Sequence, residues 1–214
     1  MEIRFERKWK LPSNKFLNLD KALKNSKFSF NKQFEKRWVN SIYFDDMFNN
    51  SIYQNLDGIQ KKYKVRIRWY GDKNIIKNPT IEIKKKYGFI VLKDKKKINP
   101  IHDKISKQML LNLANRLKKK IPILISFKPV SFTHYLRFYY ISKDNKIRAT
   151  VDKNISYKKI NNFSDTFPIK YDNNIILELK YNKNDDYLVR KSFSNKNKLR
   201  ISRNSKFINS ILNI

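Results

Sequence analysis

The chain has 214 residues, of which 49 are Lys or Arg and 18 are Asp or Glu, a net charge of +31. Hydrophobic residues make up 40% and aromatics 14%, enough apolar surface for a core, so a disordered chain is excluded. Three scattered glycines, no cysteine and two histidines rule out Gly-rich nucleotide loops, thiol chemistry, disulfides and a multi-histidine metal centre.

Chemistry must then come from carboxylates, Lys, Arg and hydroxyls, with or without a hard cation. The charge points to a polyanionic partner: nucleic acid, an anionic membrane or a phosphate-rich small molecule. Lys, Asn, Ile, Tyr and Phe are also the residues of AT-rich codons, so the placement of charge says more than its total.

The length suits one domain over residues 1–214. In chain order, Glu2–Leu11 alternates as a strand, and Ser13 is placed to cap a helix to about Ser26 with Phe16, Leu17, Leu19 and Leu23 on one face. Val39–Asp45 and Tyr63–Tyr70 read as strands, followed by a turn at Gly71-Asp72. Thr80–Lys86 and Phe89–Lys93 are strands around Gly88, and Pro100 precedes a helix from about His102 to Lys119. Ser131–Ser142, Lys146–Val151 and Ile175–Tyr181 are further strands. Asp185–Lys191 and Ser205–Leu212 read as helical. About eight strands with a few helices predict an α+β protein built on an antiparallel sheet, curved or closed into a barrel, with the helices outside.

Side chains alternate between the two faces of a strand, so parity sorts them. Glu6, Lys8 and Lys10 alternate with Phe5, Trp9 and Leu11, although Arg7 falls on the apolar side. Lys64, Arg66 and Arg68 alternate with Val65, Ile67 and Trp69; Glu82 and Lys84 with Ile81 and Ile83; Glu178 and Lys180 with Leu177 and Leu179. Arg148 and Asp152 stand opposite Ile147, Ala149 and Val151. An ordinary solvent face accounts for any one such strand. The repetition, and the mixture of cations with glutamates, favour a charged interior that binds a chain of phosphates. Glu6, Glu82 and Glu178 are then metal candidates, because Mg²⁺ or Mn²⁺ beside phosphates needs carboxylate oxygens. Salt bridges to neighbouring cations are the competing account of each.

Eight ordered segments carry a family resemblance: Phe5–Trp9, Ser41–Asp45, Lys64–Gly71, Ile81–Lys86, Tyr135–Phe138, Arg148–Asn154, Leu177–Lys180 and Ser205–Phe207. Together they resemble the VTC-type polyphosphate polymerase domain, a branch of the triphosphate tunnel metalloenzymes (CYTH-like superfamily). The arginine pair followed by Trp69-Tyr70-Gly71 is the most specific part. The resemblance implies an eight-stranded antiparallel tunnel with a basic lumen, and an enzyme that transfers the γ-phosphoryl of ATP to polyphosphate with Mn²⁺ or Mg²⁺. It implies a catalytic set of Arg66, Arg68, Lys84 and Arg137, with Lys8, Lys93 and Lys206 also on phosphate and Glu178 on the metal. By their place on the charged strands, Lys10 and Lys64 join the phosphate-binding set. Trp9 stands where the family often has Tyr, and Asn204 where an aromatic is usual.

A tunnel-type triphosphatase acting on inorganic or nucleoside triphosphate uses the same residues, as does a non-catalytic polyphosphate-binding module. Nucleic-acid binding fits the charge but not its sorting by strand parity or its glutamates. His134 reads as a strand residue making one hydrogen bond, and Asp45-Asp46 as a turn or cap. Met1–Arg4 lacks a signal-peptide core, and no apolar run approaches the ~20 residues that span a bilayer. The expectation is a cytoplasmic protein, with a membrane-protein partner at the inner face and the oligomeric state left open.

Overall fold

In the computed structural model, the described residues are 4–87, 90–99, 101, 105–119, 121–160, 169–195 and 200–212. Glu2, Gly88, Phe89, Pro100 and His102, named above, lie outside them. Nine strands form among these residues: β1 (Arg4–Pro12), β2 (Asn31–Asp46), β3 (Lys61–Tyr70), β4 (Thr80–Tyr87), β5 (Ile90–Lys97), β6 (Phe127–Ile141), β7 (Arg148–Lys159), β8 (Ile169–Asp172) and β9 (Asn174–Asn182). The helices are α1 (Phe16–Lys24), α2 (Asn50–Leu56), α3 (Lys107–Lys118), α4 (Asp186–Arg190) and α5 (Lys206–Leu212). The strand order is β1-β9-β7-β6-β2-β3-β4-β5, with β8 beside β7. The antiparallel α+β class is as expected. The sheet has nine strands rather than eight: eight follow one path, and β8 pairs with β7 off it. No helix among the described residues is long and apolar enough to cross a membrane.

The chain divides into two compact units. One comprises residues 1–37, 135–155 and 171–204; the other 38–134, 156–170 and 205–214. Each builds its own core on the apolar parity of its strands. In the first, Trp9 and Leu11 of β1, Leu177 and Leu179 of β9 and Ala149 and Val151 of β7 pack with Leu19 and Leu23 of α1, Val189 of α4 and Phe193. Arg7, on this apolar side, is not left unpaired: it forks onto Asp186 at the start of α4, both bonds at 2.7 Å. In the second, Ile42, Phe44, Val65, Ile67, Trp69 and Ile81 pack under Met109, Leu110, Leu113 and Leu117 of α3. Each fully buried Leu, Ile or Val contributes ~1.5–3 kcal/mol.

Several local expectations shift. Ser13 does not cap α1; it lies in a 3-10 turn and its N–H donates to the Asn173 carbonyl at 2.9 Å. Leu17 is exposed, so the buried stripe of α1 is Leu19 and Leu23 alone. The helix expected from His102 begins at Lys107, where Ser106 Oγ accepts from the Met109 N–H at 3.1 Å and fixes the start. Strand β2 extends back to Asn31, and β7 on to Lys159. Gly71 sits at φ +94°, in the left-handed region that glycine enters without strain, and ends β3 as the turn predicts.

Candidate functional site

In the second unit the charged parity of β3, β4 and β5 forms one face. Register places Arg66 opposite both Tyr43 of β2 and Glu82 of β4, and Arg68 opposite Ser41 and Thr80. Glu82 is the hub. Its Oε2 accepts from Arg66 Nε at 2.8 Å and lies 4.0 Å from Arg68 Nη1; its Oε1 lies 3.2 Å from Lys93 Nζ and 3.6 Å from Lys95 Nζ. Glu82 and Arg68 are 4% and 7% exposed, although they lie on the face turned away from the apolar core. Burial alone would raise the Glu82 pKa, but Arg66 and Arg68 outweigh it and hold the carboxyl far below its usual range. Burial and the nearby Arg66 push the Lys93 ammonium down to about 8, against the opposing pull of Glu82.

Tyr43 completes this cluster. Its hydroxyl accepts from Arg66 Nη1 at 3.2 Å and its ring stacks on Phe207 of α5 at 5.0 Å. Burial disfavours the phenolate, yet Arg66 and Arg68 overcome this and lower the phenol's pKa. Lys206, at the start of α5, adds to that field, and Lys64 Nζ donates to Ser205 Oγ at 3.1 Å. Lys84 stands opposite Lys64 and Lys93. So Lys64, Arg66, Arg68, Lys84, Lys93, Lys206 and Glu82 all belong to this unit.

The first unit carries Lys8, Lys10, Arg137, Glu6 and Glu178. Lys8 Nζ lies 2.8 Å from Glu6 and 3.6 Å from Glu178, and Lys180 Nζ lies 3.6 Å and 2.8 Å from the same two carboxylates. Glu178 is 9% exposed. Its burial favours the protonated form, but Lys180, Lys8 and Arg137 prevail and keep it ionised. Arg137 forks onto Asp152 across β6 and β7. Lys10 stands apart, 3.9 Å from Asp172. Asp152 therefore serves Arg137. Among the described residues no three His, Asp or Glu side chains gather as a metal cage.

Tyr43, Asp152 and Lys180 join these clusters in addition to the residues expected from the sequence. The signal was present as strand parity, since each shares a face with one of those residues. His134 makes one side-chain hydrogen bond, to Asn40 Oδ1 at 2.6 Å, and stacks on Trp38 at 4.3 Å; burial lowers its pKa to about 4. Asp45 accepts from the Ser51 and Ile52 N–H groups and so caps α2, as anticipated for a cap.

The model of the VTC domain family matches residues 3–214. The chain belongs to the VTC domain family. Several solved structures resemble this VTC domain. One is a candidate adenylyl cyclase from Hippeastrum, described as having a dominant triphosphatase activity, at 15% identity and TM-score 0.53, covering 98% of this chain and 95% of that one. A candidate adenylate cyclase from Vibrio parahaemolyticus matches at 12% identity and TM-score 0.53 over 100% and 99% of the two chains. Another, from Bacillus halodurans, matches at 14% and 0.51 over 96% of each. At these identities the likeness is one of fold. The comparison with curated proteins found no match to this chain.

Proposed function

We propose that this VTC domain is an enzyme of phosphate-chain chemistry that transfers the γ-phosphoryl of ATP to a growing polyphosphate chain. The observation that carries the reading is the burial of Arg68 and Glu82, with Arg66 half-buried beside them, on the face turned away from the core under α3. Buried charge is expensive, and a face of this kind is retained where it meets a ligand of opposite sign.

Arg66 and Arg68 lie two residues apart on one strand face, about 7 Å, and address successive phosphates along a chain. Glu82 and Tyr43 fix the plane of the Arg66 guanidinium, so the fork is oriented before substrate arrives. Phosphoryl transfer spreads negative charge over the equatorial oxygens, and fixed cations stabilise it. A terminal phosphate oxygen of polyphosphate attacks the γ-phosphorus, the bond to the β-phosphate oxygen breaks, and ADP leaves. The attacking oxygen is already anionic, so no strong base is required.

The carboxylates fit a divalent ion in the manner of Mg²⁺, which takes one or two carboxylates and completes its shell with phosphate oxygens and water. Glu178, kept ionised, and Glu6, which share Lys8 and Lys180 as counter-ions in this structure, would hold it. There a metal would neutralise charge on bound phosphates. Glu82 is instead the counter-ion of four cations.

Incubation with ATP and Mn²⁺ tests the reading: long chains on a gel are expected, and release of free phosphate without polymer overturns it. That second outcome is the triphosphatase reading, which the activity described for the Hippeastrum protein favours.

A further inference from the structure

In the first unit, the face that carries Arg137 turns aromatic toward its outer end. Phe138 and Tyr140 of β6 pack with the apolar core, so Tyr135, Arg137 and Tyr139 share the opposite face. The Arg137 guanidinium lies 5.2 Å from the centre of the Tyr135 ring. Tyr139 is two residues further on, about 7 Å along the strand. A second guanidinium meets it there: Arg37 of β2 lies 5.4 Å from the Tyr139 ring and 5.6 Å from the Phe34 ring. Phe34 in turn meets Tyr139 edge-on, with centroids 5.9 Å apart. Aromatic rings and guanidinium groups thus alternate along one face.

Exposure rises along this series. Tyr135 is buried, Arg137 and Tyr139 are half-buried, and Phe34 and Arg37 are exposed. The fold asks for no aromatic at position 34, because β2 is exposed at nearly every position from Asn31 to Arg37. Phe34 is 51% exposed, so it forgoes much of the ~1.5–3 kcal/mol that full burial gives such a side chain. An exposed contact with a guanidinium, at ~0.5–1 kcal/mol, does not replace that gain. Rings left in water beside fixed cations suit a flat aromatic ligand that carries negative charge, and a nucleotide is one. A base stacked on an aromatic side chain gains ~1–3 kcal/mol. The fork of Arg137 onto Asp152 uses Nε and Nη2 and leaves Nη1 outside it, so Arg137 can meet a phosphate oxygen while it stays paired.

We propose that Phe34, Tyr139 and Arg37 form a platform on which the base of a nucleoside triphosphate stacks, with its phosphates running inward to Arg137. The platform rests on the phosphate-chain reading above and adds to it how a nucleotide donor is told from an inorganic chain: the donor carries a base and the chain does not. Stacking reads the face of a base rather than the pattern of groups on its edge, so guanine is accepted as well as adenine.

The test measures dissociation constants, in the presence of Mn²⁺, for tripolyphosphate and for the β,γ-imido analogues of ATP and GTP, which do not release their terminal phosphoryl group. The proteins are the wild type, Phe34→Ala and Phe34→Trp. Because Phe34 is exposed, its truncation leaves the apolar core intact. In Phe34→Ala the affinity for both nucleotide analogues is expected to fall about tenfold, with tripolyphosphate binding unchanged. Phe34→Trp retains the wild-type affinities, and both analogues quench its added indole fluorescence beyond any quenching in the wild type, whereas tripolyphosphate does not. Nucleotide binding that is unchanged in Phe34→Ala, or weakened only as much as tripolyphosphate binding, overturns the platform and leaves the phosphate-chain reading standing. A loss confined to the ATP analogue overturns the tolerance for either base. A wild type that binds neither tripolyphosphate nor the analogues overturns the phosphate-chain reading itself, and the platform with it.

Discussion

Arg137 and Asp152 are joined by two parallel hydrogen bonds, Nε to Oδ1 at 2.6 Å and Nη2 to Oδ2 at 2.8 Å, with the Asp152 carboxylate 1% exposed. Removing one partner of such a pair leaves a buried charge uncompensated, which costs about 3–5 kcal/mol. Asp152→Ala is therefore expected to lower unfolding stability by that amount in denaturant titration. A loss below about 1 kcal/mol would show that Arg137 finds another counter-charge.

Arg66→Ala removes an oriented electrostatic stabiliser, and kcat should fall by about a hundredfold or more. Arg66→Lys should recover little of this, because an ammonium cannot reproduce the fork that meets Glu82 and Tyr43. Near-normal turnover in Arg66→Ala removes Arg66 from the chemistry.

Glu82→Gln leaves Arg66, Arg68, Lys93 and Lys95 without their shared anion. The ligand-free variant should melt below the wild type. Tripolyphosphate should raise its Tm by more than it raises the wild type's, because the ligand then supplies the missing negative charge. Equal shifts in the two proteins would show that the ligand does not meet these cations.

With a pKa near 8, Lys93 is charged below that pH and neutral above it. On the proposed function its cationic form helps to hold phosphates, so tripolyphosphate affinity should decline as pH rises through about 8, relative to Lys93→Arg, which stays charged. In the ligand-free protein the sign for stability is the reverse. The unfolded lysine, near 10.5, binds a proton that the folded one releases, so this residue makes stability rise with pH between about 8 and 10.5. Parallel binding curves for wild type and Lys93→Arg would exclude Lys93 from the phosphate contacts.

Glu178→Gln removes the anion that Lys8 and Lys180 share with Glu6. Stimulation of activity by Mn²⁺ or Mg²⁺ should be abolished. Metal-stimulated rates like those of the wild type would show that the ion is held elsewhere.

Strand parity made much of this arrangement legible in the sequence, because β1, β3, β4 and β9 each bury one face under helices and alternate over most of their length, with Arg7, Lys85 and Ile176 as exceptions. Other elements gave no such signal. Asn31–Arg37 of β2 is exposed at nearly every position, so neither face imposes a hydrophobic period. The seven residues of α2 are too few for a helical period, and the cap that fixes its start, Asp45, comes from the preceding strand. Four-residue β8 is shorter still. Parity names a face but not a partner, which is why the Arg137–Asp152 fork and the four cations on Glu82 emerged only from register and distance.

Phe207 stacks on the Tyr43 ring, and the Tyr43 hydroxyl accepts from Arg66. The C-terminal helix is thereby a lever whose far end rests on a catalytic candidate. Whatever unseats that aromatic ring, whether a bulky fusion or a partner gripping residues 206–212, will loosen the guanidinium from a distance and, on the proposed function, dim the chemistry without altering a single charged side chain.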